Sequence, residues 1–139
     1  MAVKTPKKIA LTGATGFVGY NLQVALADKG WQVVPLGRKD LALEPAALGQ
    51  KMSGVKAVIN LAGSPVIARW SKAHKVQMQE SRIDLTRKLV QAIKEMDTPP
   101  EVFISTSALG YYSSTGVHGE VQGVKGEGFL AELAQAWEK

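Results

Sequence analysis

The chain has 139 residues, 45% of them apolar and 21% charged, a composition that suits one folded domain and excludes a disordered chain. It has no cysteine, and its histidines are His74 and His118 alone, so a disulfide framework, a thiolate nucleophile, a Cys-based zinc centre and a His-rich metal site are ruled out. The formal charge of +5 is dispersed in short pairs such as Lys7-Lys8, Arg38-Lys39 and Arg87-Lys88, which suits a single polyanionic small ligand or plain solubility and argues against a nucleic-acid tract.

No apolar run approaches the ~18 residues needed to cross a bilayer, and the opening "MAVKTPKKIALTG" enters a strand pattern without a signal-peptide core. The expectation is a soluble, cytoplasmic protein with no membrane partner. Short apolar runs alternate with helix-period segments, the signature of a parallel sheet covered by helices. The first strand is "KIALTG" (8 to 13). The helix "FVGYNLQVALADKG" (17 to 30) follows, with Val18, Leu22, Ala25 and Leu26 on its apolar face and Gly30 as its stop. "QVVPL" (32 to 36) reads as the second strand and "DLAL" (40 to 43) as a short third. "EPAALGQKMSG" (44 to 54) is a brief helix opened by Pro45 in its first turn. "KAVINLAG" (56 to 63) is the fourth strand. A long helix is expected from Ser71 to Met96, with Leu85, Leu89, Ile93 and Met96 in one stripe, and Thr98-Pro99-Pro100 ends it. "EVFIS" (101 to 105) is the fifth strand, and "FLAELAQAWEK" forms a last helix after a glycine-rich stretch.

"TGATGFVG" (12 to 19) closes the first strand and opens the first helix with Gly13, Gly16 and Gly19 three apart. Gly13 permits a tight turn, Gly16 lets the backbone approach a pyrophosphate, and Gly19 lets the helix sit close to the sheet. The free N–H groups of the helix start face the anion. A lone glycine triplet is weak evidence, but its place after the first strand of a strand-helix-strand unit points to a dinucleotide site. At the end of the second strand a carboxylate would serve the ribose diol of NAD, whereas a cation would pair with the 2′-phosphate of NADP. Here "PLGRKD" presents Gly37, Arg38 and Lys39, so NADP is favoured over NAD, the alternative being a solvated basic turn.

These motifs, together with "AVINLAGSPVIARW", "ESRIDLTRKLV", "DTPPEVFISTSALGYY" and "FLAELAQAWEK", resemble the extended, atypical short-chain dehydrogenase/reductase superfamily. Within it they resemble the epimerase-like subfamily called sugar-nucleotide epimerase or cell-division inhibitor. The resemblance implies a three-layer α/β fold of Rossmann type, a doubly wound parallel sheet of order 3-2-1-4-5. It covers the N-terminal half of a typical member, so residues 1–139 are expected to form one NAD(P)-binding domain that stops before the C-terminal strands and lacks a substrate domain. It further implies that Gly13, Thr15, Gly16, Phe17, Val18 and Gly19 cradle the pyrophosphate and that Gly37 and Arg38 hold the 2′-phosphate. Leu61, Ala62 and Gly63 would lie beside the adenosine, and Arg82 would reach the cofactor phosphates with Gln77 as a weaker neighbour. For Arg82 the alternative is a helix-surface ion pair.

Hydride-transferring members of the superfamily use a Tyr-x-x-x-Lys pair and a Ser or Thr at the end of the fifth strand. Ser107 matches the latter. The residues four beyond Tyr20, Tyr111 and Tyr112 are Val24, Thr115 and Gly116, so the pair is absent. Phe129 and Leu130 occupy the approximate Tyr register, Leu133 and Ala134 that of the Lys, and none of them passes a proton. Tyr111 and Tyr112 remain as substitute catalytic phenols beside Ser107, against the alternative that they pack a ring inside and leave the hydroxyl at the rim. Three functions stay open: an NADP-dependent oxidoreductase or epimerase-like enzyme of unidentified small-molecule substrate, a non-catalytic NADP-dependent regulatory or scaffold module with a protein partner, and an incomplete domain without function. The apolar edge "VFIS" also raises the expectation of self-association as a homodimer.

Overall fold

The computed structural model describes residues 5–139, which divide into two compact units, one ending at Ser105 and the other running from Thr106 to Lys139. The first unit contains β1 (Lys7–Thr12), α1 (Phe17–Asp28), β2 (Trp31–Leu36), α2 (Arg38–Leu41) and α3 (Pro45–Lys51). β3 (Val55–Asn60), α4 (Lys72–Gln79), a π turn (Glu80–Asp84), α5 (Leu85–Lys94) and β4 (Val102–Ser105) complete it. The second unit holds a 3₁₀ turn (Leu109–Tyr111) and α6 (Phe129–Glu138).

The strands form one parallel sheet in the order β2-β1-β3-β4. Strand side chains alternate between faces, and the core divides accordingly. Ile9, Leu11, Ala57 and Ile59 pack on one face with Leu22 and Leu26 of α1. Ala10, Leu36 and Val58 point to the other, where Leu48 of α3 and Leu89 and Ala92 of α5 bury them. Both faces of β1 and β3 are therefore covered, which is why these strands read as unbroken apolar runs. The expected stripe of Leu85, Leu89, Ile93 and Met96 faces this second cluster.

Three local expectations are corrected. The segment expected as a third strand (40 to 43) is not a strand: residues 38–41 form α2 and 42–43 turn out of it, leaving the order expected for the other four strands unchanged. Asp40 accepts the Gly37 N–H over 2.9 Å, and Lys88 donates to the Leu41 carbonyl over 3.0 Å, so both ends of this single turn are satisfied. Leu41 and Leu43 still pack against the core, which accounts for their strand-like alternation. The expected Ser71–Met96 helix is interrupted by the π turn. Finally, α1 is rotated from its expected face. Gly19, Leu22 and Leu26 turn inward, whereas Val18 is 60% exposed and Ala25 is also outside.

In the second unit, Tyr112 stacks on His118 with ring centroids 5.3 Å apart and meets Tyr111 edge-on. A single antiparallel bridge joins Tyr112 to Lys125, and the Gly126 N–H donates to the Tyr111 carbonyl over 2.7 Å. The 3₁₀ turn lies against α6, where Gly110 faces Leu130.

Candidate functional site

In the first unit a cavity of about 710 Å³ opens at the C-terminal ends of β1, β2 and β3. In this topology the chain turns outward from β1 to β2 and then returns to the other side of β1, which makes this end the switch point where open parallel sheets bind ligands. Gly13, Thr15 and Gly16 supply one wall, Gly37 and Arg38 a second, and Leu61, Ala62 and Gly63 a third, with Gln77 on the rim. The expected cofactor residues therefore converge, with four exceptions. Phe17 is 88% exposed and, like Val18, does not line the cavity, Gly19 is buried against the Gly13 turn, and Arg82 packs against Gly63 without lining the cavity itself.

The backbone of the glycine turn is locked by its neighbours. Gly13 has φ +66°, and a Cβ there would lie 2.7 Å from the Leu61 carbonyl oxygen. A Cβ on Gly19 would come within 2.1 Å of the Gly13 carbonyl oxygen. Neither position admits another residue without moving main chain. Gly16 precedes α1 with extended backbone and no side-chain cap, and the first turn of the helix has no acidic residue. The leading N–H groups of this helix of 12 residues thus have no acidic residue in their own first turn to compete for them.

Beneath the loops lies a buried polar cluster that joins strand ends. Thr12 and Asn60 are both fully buried at the ends of β1 and β3. Asn60 Nδ2 donates to Thr86 Oγ1 over 3.0 Å and to Ser105 Oγ over 3.3 Å, so α5 and β4 are tied in as well. Gln23 of α1 donates to the Ala14 carbonyl over 2.8 Å and fixes the turn from the other side.

Sequence reasoning missed His74, Ser64, Ser81 and Glu80, all on the cavity wall. His74 Nε2 lies 2.8 Å from the Pro65 carbonyl, and Ser71 caps α4 by accepting the His74 N–H. The one signal for this wall was the "S-x-x-H" start of α4. Burial pushes the Arg82 guanidinium down from its ordinary value, though it remains a cation. Asp40, the carboxylate nearest the end of β2, is engaged by the Gly37 N–H and by Lys51 at 3.5 Å.

The second unit has its own cavity, about 540 Å³, and it gathers all three candidate catalytic residues, Ser107, Tyr111 and Tyr112. Glu120 and Glu138 complete the polar lining, and the Ser107 hydroxyl donates to the Glu138 carboxylate. Glu138 carried no signal in a search for a Tyr/Lys pair. Leu133 and Ala134, in the lysine register, are buried and apolar.

A sequence model of the NAD dependent epimerase/dehydratase family matches residues 9–126. Among relatives, the chain is 32% identical over 145 residues to the epimerase family protein YfhF of Bacillus subtilis (strain 168), covering 94% of this chain and 48% of that protein. It is 36% identical over 151 residues to the chloroplastic SDR39U1 homolog of Arabidopsis thaliana, covering 94% of this chain and 43% of that one. Human epimerase family protein SDR39U1, solved with NADPH, superposes with a TM-score of 0.77 at 22% identity over 94% of this chain and 47% of its own. RMD from Pseudomonas aeruginosa, also complexed with NADPH, gives 0.75 at 27% identity over 96% and 46%. The chain spans about half the length of the relatives it matches. It belongs to the NAD-dependent epimerase/dehydratase family, with the Rossmann-type fold of that family.

Proposed function

We propose that the first unit binds NADP and that the chain is the cofactor-binding part of an epimerase/dehydratase-like oxidoreductase. The observation that carries this reading is the cavity whose walls are the Gly13–Gly16 turn and the Gly37–Arg38 turn. The donor set fits a dinucleotide. Backbone N–H groups at the start of α1 suit the pyrophosphate, and the absence of a Cβ at Gly16 leaves room for it. Arg38 brings a planar cation to the end of β2 for a 2′-phosphate, while Asp40, the carboxylate that would serve a ribose diol, is already committed to Gly37 and Lys51. Leu61, Ala62 and Gly63 offer a flat apolar and backbone surface beside the adenosine. When bound, such a cofactor supplies a hydride donor or acceptor.

Within the second unit, Ser107 can hold a substrate oxygen, with its own proton directed to Glu138. Tyr111 and Tyr112 shape that cavity and offer phenol donors. No positioned Tyr/Lys pair transfers the proton, because Phe129, Leu130, Leu133 and Ala134 stand in its register. This chain alone accordingly binds cofactor and turns over weakly or not at all. The same substitutions favour a second reading, a non-catalytic NADP-dependent module that reports cofactor state to a protein partner. Calorimetric titration of NADPH tests the shared premise: saturable one-to-one binding supports it, and no binding at millimolar ligand would overturn both readings.

A further inference from the structure

Ser107 and Glu138 meet from opposite ends of the second unit's chain. Ser107 follows β4 by two residues, and Glu138 is the last residue of α6, 31 positions further on. α6 is anchored by Ala131, Leu133, Ala134 and Trp137, all buried, so the carboxylate is delivered by a fixed helix. Helix stability does not explain its place. A carboxylate in the last turn opposes the negative end of the helix dipole, and α6 has no basic residue in that turn. The contact with Ser107 is what the position gains.

That contact fixes which way the hydroxyl points. An ionised carboxylate only accepts hydrogen bonds, so the Ser107 O–H donates to Glu138 and the lone pairs of its oxygen remain for a ligand. A serine that has given away its proton accepts from a hydroxyl or an ammonium group and cannot donate to a carbonyl. The charge of the lining agrees. Glu120 and Glu138 both line the cavity of about 540 Å³, and among the described residues no Lys, Arg or His does. Neither a phosphate nor a carboxylate finds a cation there. Tyr111 and Tyr112, edge-on with ring centroids 5.3 Å apart, add aromatic surface to the wall.

We propose that Glu138 is a specificity-determining residue: by taking the Ser107 proton it makes this cavity a site for a ligand that brings a hydrogen-bond donor, an alcohol or a protonated amine, and no anionic group at that end. The proposal rests on the reading above that Ser107 anchors the ligand of this cavity. For an oxygen ligand it also fixes the oxidation state held, the hydroxyl form and not the carbonyl. The phenols of Tyr111 and Tyr112 can still donate, so the discrimination belongs to Ser107 and disappears with it.

The test uses the full chain with Ser107→Ala and Glu138→Ala, and four probes that share one ring: cyclohexanol, cyclohexanone, cyclohexylammonium and cyclohexanecarboxylate. It reads amide chemical shifts around Ser107 as each probe is titrated. The alcohol and the ammonium should each bind the parent about 3- to 10-fold more tightly than the ketone, the yield of one added hydrogen bond, and the carboxylate should bind most weakly. The alcohol and the ketone are both neutral, so their ratio isolates hydroxyl orientation from charge. Ser107→Ala should bring the alcohol down to the ketone. Glu138→Ala, which returns the Ser107 proton to the cavity, should erase or reverse the alcohol's lead. This variant also removes a charge that the helix end disfavours, so it should fold as the parent does, and should Ser107→Ala not fold, Glu138→Ala carries the decision. A parent that binds ketone as tightly as alcohol would overturn the proposal. So would an alcohol preference that survives Glu138→Ala, or no shift around Ser107 with any probe at its solubility limit. The titrations are run without NADPH, so their failure leaves the cofactor reading standing, and failure of the NADPH titration leaves this one standing.

Discussion

Thr12 Oγ1 donates to Asn60 Oδ1 over 2.6 Å, and the same oxygen accepts the N–H groups of Leu61 and Ala62 at 3.1 Å each. One buried hydroxyl therefore joins the ends of β1 and β3 and sets the start of the cavity's third wall. Thr12→Val keeps the volume but removes the hydroxyl that bonds one amide oxygen and two N–H groups. A loss of roughly 2 to 4 kcal/mol in urea unfolding is expected, with Thr12→Ser recovering most of it. Equal stability of the valine variant and the parent would show that the cluster is not structural.

Gly16 and Gly19 separate ligand binding from folding. A Cβ at Gly16 meets only the Gly13 carbonyl oxygen at 3.3 Å, whereas at Gly19 it would overlap the same oxygen at 2.1 Å. Gly16→Ala should melt within a few degrees of the parent yet lose at least about tenfold in NADPH affinity, because the methyl occupies the pyrophosphate's approach. Gly19→Ala should lose about 3 kcal/mol or more of stability by overpacking. Thermal melts and titrations of the two variants check the contrast, and a Gly16→Ala variant that binds normally would move the phosphates away from this turn.

Much of this is legible in the sequence alone. Strand ends and the glycine turn declared themselves because strands buried on both faces produce apolar runs and because backbone contact at Gly13 and Gly19 admits no side chain. Failures came where a local contact overrides the pattern. Leu41 and Leu43 alternate as a strand would, but Asp40 closes a helical turn onto Gly37 and Lys88 caps it from a residue 47 positions on. The stripe from Leu85 to Met96 runs on unbroken below the π turn and gives no sign of it. Val18 is apolar, yet Gly19 takes the inward position because the helix must approach the Gly13 carbonyl. Glu138 was invisible because its partner, Ser107, is 31 residues away.

The second unit's cavity should not support ordinary turnover in this chain. Ser107 bound to Glu138 holds an oxygen, but positioned proton transfer is worth about 10² to 10⁴-fold and lacks its usual Tyr/Lys pair. NADPH oxidation against a broad carbonyl panel should stay near background for the parent and for Ser107→Ala, Tyr111→Phe and Tyr112→Phe. Robust parental turnover that collapses in one variant would identify a catalytic hydroxyl and refute this expectation.

Acid should erase the preference for the phosphorylated cofactor. A phosphate monoester dianion takes up a proton near pH ~6, so the 2′-phosphate loses a charge as pH falls and its attraction to the basic turn weakens. The ratio of NADP to NAD affinity should shrink between about pH 7.5 and about pH 5, with NAD binding itself unchanged. A ratio that stays constant across this range would argue against an ion pair at the 2′ position.

The central claim is that the basic turn after β2 selects NADP. Paired titrations of NADPH and NADH into the parent and Arg38→Asp test it most directly. Arg38 lines the cavity on a turn whose carboxylate is already engaged, so the parent should favour NADPH by about 1.5 to 3 kcal/mol, the scale of a charge-assisted pair, and Arg38→Asp should abolish or reverse that preference. Equal affinities for the two cofactors in the parent, unchanged by the substitution, would contradict it.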